Sequence, residues 1–112
     1  MLALRTVLVV HLAVLTAYTL VVIGNHGWNL FPAFFGDMAA LSWAGQFNTD
    51  FSGFLILSAM WTAWRHKFSA LGLVLAPVAF FGGMAFLSTY VLILSLGASD
   101  IKAILLGAQQ DA

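Results

Sequence analysis

Glutamate and cysteine are both missing from this chain of 112 residues, and charge of either sign is scarce. Without cysteine there are no disulfides, no thiol redox chemistry and no thiolate-held metals. Without glutamate, the membrane-embedded Glu that small multidrug-type proton antiporters of similar size carry in their first helix has no counterpart. Four Lys and Arg balance four acidic residues. So few basic groups exclude nucleic acid as a partner. Nothing in the composition requires a cofactor.

What is present is apolar. Hydrophobic residues make up 62% of the chain and charged residues 7%, and the mean hydropathy is +1.02, which puts it in the membrane class. The stretch 68–99 contains no charged residue at all, and about 20 apolar residues at ~1.5 Å each already cross a ~30 Å hydrocarbon core. The expected fold is all-α: a three-helix transmembrane bundle forming a single integral membrane domain over 1–112. Spans are expected at about 6–24, 46–65 and 70–97. Between the first two, an interfacial helix is expected at about 30–43, and a short helix in the tail 98–112.

The first span ends at Gly24-Asn25 and is too long, with His11 inside it, to read as a cleaved signal peptide. The second is short unless it takes in Gln46, Asn48 and Asp50, which sets Asp50 near one membrane interface. Trp61 and Trp64 before Arg65-His66-Lys67 read as an aromatic belt closed by a cytoplasmic basic anchor, Arg65 and Lys67. The third span starts after a Ser69 cap, with a kink expected at Pro77 and a further bend or close approach at Gly82-Gly83. In the loop, Pro32 suits a first helical turn, and Phe31, Phe34, Phe35 and Met38 follow helical spacing with Asp37 toward water. Ser99 is the expected cap of the tail helix, whose Ile101, Ile104 and Leu105 face lipid or bundle. Arg5, Arg65 and Lys67 on one side place the N-terminus in the cytoplasm of a bacterial inner membrane and the C-terminus, with Lys102, outside.

Three polar positions are candidates for function. Asp50 is an ionisable group at membrane depth, suited to a proton site or partner contact, or else a carboxylate at a helix N-terminus made by Asn48, Thr49 and Asp50. His11 can ligate haem or a chlorophyll magnesium, relay a proton, or simply hydrogen-bond to Thr62 or Ser58 of a neighbouring helix. A bis-His haem with His66 is disfavoured because the two lie at different depths. The antenna pattern of a small residue four before the ligating histidine fails at Val7. His26, in the Gly24-Asn25-His26-Gly27 turn, either approaches Asp50 or is merely solvated. Small residues four apart, Ala13 and Ala17, Ala59 and Ala63, Ala79 and Gly83, are expected to let helix backbones pack closely.

The first helix bears Ala17-Tyr18, and Gly27 with Phe31, Phe34 and Phe35 marks a Phe-rich loop. Trp43, an Asp50-Phe51 opening of the second helix, and Trp61 through Trp64-Arg65 follow. Over roughly Leu12 to Val91 this pattern resembles an uncharacterised bacterial family of small membrane proteins known only as a domain of unknown function. The long third helix and the tail beyond Leu96 depart from it, and the resemblance implies no catalytic residues.

The leading expectation is a small non-enzymatic accessory or assembly subunit of a larger membrane complex, paired with a membrane-protein partner or a second copy. A proton-coupled oligomeric transporter using Asp50 is one alternative. A pigment-, haem- or quinone-binding subunit using His11 is another.

Overall fold

The computed structural model describes residues 1–111, and among these the chain forms helices and turns without a strand. The helices are α1 (Leu2–His26), α2 (Phe31–Ala39), α3 (Trp43–Arg65), α4 (Ala70–Gly97) and α5 (Ile101–Leu106), followed by a 3-10 turn at Gly107–Asp111.

Two of them, α1 and α4, are long and apolar enough to cross a membrane. The third expected span, α3, does not reach that standard, because its first two turns carry Gln46, Asn48, Thr49 and Asp50. A bundle of three apolar spans is therefore not what these helices provide.

The larger departure is in α4. The backbone leaves the helical region at Gly83, where φ is 54° and ψ is −138°, while Pro77 is accommodated inside the helix. A straight α4 would carry Tyr90 about 30 Å from Ala70. Instead the Tyr90 hydroxyl hydrogen-bonds to His66, just before α4 begins, and receives a bond from Arg65 at 3.2 Å. The helix must therefore double back: arm 70–82 runs antiparallel to α3, the chain reverses at Gly83, and arm 84–97 returns alongside. Glycine lacks the Cβ that makes this positive φ costly elsewhere. The tip rests on Phe51 and Leu55 of α3. The bend expected at Gly82-Gly83 takes the form of a reversal at Gly83, since only glycine freely takes the turn conformation.

Helices α3 and α4 make the main packing interface, with α1 set against α4 and α2 against the start of α3. Thr62, Ala63, Ala79, Ser88 and Ser95 are buried there. Of α1, Leu8 is buried and most of its other side chains are exposed.

The local signals are mostly where the sequence puts them. Ser69 accepts from the Gly72 N–H at 3.3 Å, and Pro32 sits in the first turn of α2. The cap of α5 is Asp100, which accepts from Ala103 at 2.8 Å, not Ser99. Helix α3 begins at Trp43 behind a Ser42 cap, so Asn48 to Asp50 lie within the helix rather than at its N-terminus.

Candidate functional site

Arg65 ends α3, and the fold-back surrounds it. Its side chain is 8% exposed. The guanidinium donates to the Ile104 carbonyl and is 3.5 Å from that of Ala103, and it lies 5.7 Å from the centre of the Tyr90 ring. Both carbonyls belong to α5, near the negative end of its dipole, which favours a cation; that of Ala103 also accepts the Gly107 N–H. The tail is held at two more points: Trp61 Nε1 donates to the Leu105 carbonyl at 2.9 Å, and Gln109 Nε2 to that of Trp64 at 2.9 Å. Gly107, at φ 50°, lies so close to Arg65 that a Cβ there would collide with its side chain. Arg65 is thus a buried clamp on the tail and not the free surface cation expected of an anchor. Lys67 remains exposed in the turn.

Tyr90 links this clamp to His66. Its oxygen accepts from Arg65 Nη1 and shares a hydrogen bond with His66 Nε2, whose direction is set by the imidazole tautomer. Burial lowers its pKa below the ordinary 6.5, and the adjacent Arg65 charge lowers it further. A second polar tie lies at the same end, where Arg5 of α1 donates to Ser95 Oγ at 3.1 Å and to the Ser95 carbonyl at 2.6 Å.

Toward the middle of the molecule, α1, α3 and the tip of α4 enclose an open apolar recess of about 430 Å³. His11, Phe51, Phe54, Ser58, Trp61 and Gly83 are among its walls. Trp61 connects it to the basic end, standing edge-on to Tyr90 with ring centres 6.0 Å apart. The Ser58 hydroxyl is buried with no hydrogen-bond partner. The other hydroxyls of α3 behave differently: Thr49, Ser52 and Thr62 each donate to the carbonyl four residues back.

The sequence candidates are scattered by this geometry. His11 shares the recess with Ser58, while Thr62 uses its hydroxyl on the Ser58 carbonyl. His66 is engaged at the basic end by Tyr90, away from His11. Asp50 and His26 are both exposed, and among the described residues no hydrogen bond joins them. Of the small-residue pairs, Ala63 and Ala79 are buried and Ala59 is half-buried. Gly83 is the turn residue. Ala13 and Ala17 are exposed and lie, with Thr16, in a shallow hollow on the outer face of α1. No group of three metal-ligating side chains is present among the described residues.

Tyr90 and Ser95 were not singled out from the sequence. The available signal was their polarity inside an otherwise apolar run, facing two arginines that needed partners. No family model, curated protein or solved structure matches the chain, so function has to be argued from the geometry.

Proposed function

We propose that the chain is a small non-enzymatic integral membrane protein that serves as an accessory or assembly subunit of a larger complex in a bacterial inner membrane. In this reading α1 crosses the bilayer, and the 23-residue α3 crosses with its polar first two turns in the far headgroup region. Helix α4, which is apolar enough to span but folded back at Gly83, enters and leaves on one side as a re-entrant helical hairpin. The arms of α4 are each about 20 Å long, too short for a ~30 Å core. Because their ends lie beside Arg65 and Arg5, both termini share a face. That arrangement puts all four basic residues, Arg5, Arg65, Lys67 and Lys102, on the same side. The positive-inside rule then favours the cytoplasm for that face, so the C-terminus expected outside is proposed inside.

The observation that carries the subunit reading is the uncovered face of α1. Its main packing is against α4, most of its side chains are exposed, and its hollow at Ala13, Thr16 and Ala17 is open. In lipid, where packing rather than hydrophobic burial drives association, such a small-residue hollow suits the close approach of another transmembrane helix. Gentle extraction from the native membrane is expected to co-purify a stoichiometric membrane-protein partner. Ala17→Leu, which fills the hollow, is expected to release it without unfolding the chain. A monomer with no partner would sink the proposal.

A further inference from the structure

The recess between α1, α3 and the α4 tip has a chemistry that the subunit reading does not use. Its walls are aromatic and aliphatic, yet two residues with hydrogen-bonding side chains line it, His11 and Ser58. A helical serine ordinarily donates to the carbonyl of the preceding turn, as its three neighbours on α3 do. Ser58 does not, and its buried hydroxyl has no partner. An unmade bond in such surroundings is costly, and an acceptor held in the recess that Ser58 lines would satisfy it. At about 430 Å³ the space falls in the range of small-molecule sites, which are mostly apolar with a few placed polar groups. Phe51, Phe54 and Trp61 supply faces for a flat ring. On α3 the recess lies wholly between Asp50 and Arg65, a stretch free of charge, so a charged ligand finds no counter-ion there.

We infer that this recess binds a membrane-soluble quinone-type ring, with a ring carbonyl accepting from Ser58 and from the His11 N–H. The inference rests on the membrane reading above. No electron transfer is implied; the recess holds the ring.

The test is fluorescence of Trp61 in full-length protein whose other tryptophans are replaced by phenylalanine, incorporated in phosphatidylcholine nanodiscs. The probe is a benzoquinone carrying a decyl tail, with decylbenzene, which lacks the carbonyls, as competitor. Saturable quenching that excess decylbenzene does not relieve is the expected result. Ser58→Ala weakens the apparent affinity about 3- to 10-fold, the worth of one hydrogen bond. His11→Leu does likewise, and His11→Gln, which keeps an N–H donor, restores part of it. Circular dichroism of each variant separates lost binding from lost fold. Quenching that rises linearly without saturation, or that decylbenzene relieves, overturns the inference and leaves the subunit reading intact. Failure to incorporate into nanodiscs sinks the membrane reading, and this inference with it.

Discussion

Arg65 shows how far one side chain's use depends on residues distant in the chain. Placed after two tryptophans at the end of an apolar helix, it reads as an interfacial cation, and local pattern gives no other answer. Its burial is produced by α5, some 38 residues on, whose apolar side chains fit lipid equally well by composition. Replacing it removes the donor to the Ile104 carbonyl, while that of Ala103 keeps the Gly107 N–H. Arg65→Leu is expected to cost about 2–3 kcal/mol, the value of hydrogen bonds to a charged group, and to loosen the tail so that trypsin cuts faster after the already exposed Lys102 in limited proteolysis. Arg65→Lys should fall between, because an ammonium lacks the fork that reaches the carbonyls and Tyr90 together. His66 yields a pH prediction. Its folded pKa lies below the ordinary 6.5, so the unfolded chain binds the proton more readily. Stability from the Tyr90–His66 bond is then fully present above about pH 6.5 and is lost as pH falls through the lower folded value. Thermal unfolding from pH 7.5 to 5 should show this loss in the native protein, with a flatter profile in His66→Gln. The Ser69 cap, by contrast, was legible, since capping depends on neighbours three residues away.

At the level of elements, the helices were readable from hydropathy and spacing but the path of the last long one was not. Gly82-Gly83 marks a weak point in any apolar run. Whether it bends, admits a neighbour or reverses the chain is decided by what lies on either side. Here Phe51 and Leu55 receive the tip, and Tyr90 and Ser95 find Arg65 and Arg5 only if the arm returns. Those are contacts between residues 25 and 90 positions apart, outside the reach of periodicity. Gly83→Ala forces a side chain into a left-handed conformation and is expected to destabilise the fold by about 1–2 kcal/mol. Loss of tertiary structure at lower temperature, with helix content retained in circular dichroism, would mark a straightened arm. The helix expected at about 30–43 forms in shortened form as α2, held by the Asn48 amide on the Phe34 carbonyl at 3.1 Å.

For the molecule as a whole, the reversal changes the count of crossings. A straight α4 gives three spans with the termini on opposite faces and one basic residue apart from the rest. In the reading proposed above the hairpin leaves two crossings, by α1 and α3, and gathers every basic residue at one face, a distribution the positive-inside rule favours. The same geometry brings α1, α3 and the α4 tip around the recess at His11 and Ser58 and leaves the Ala13–Ala17 face of α1 exposed. The cysteine-free chain makes the arrangement directly measurable. Single cysteines at Ala3, Asn29 and Gln110, all exposed positions, would be labelled with a membrane-impermeant maleimide in right-side-out and inverted vesicles. The hairpin predicts that Ala3→Cys and Gln110→Cys react together in inverted vesicles while Asn29→Cys reacts in right-side-out ones. Labelling of Gln110→Cys from the same side as Asn29→Cys would contradict it and restore a third crossing.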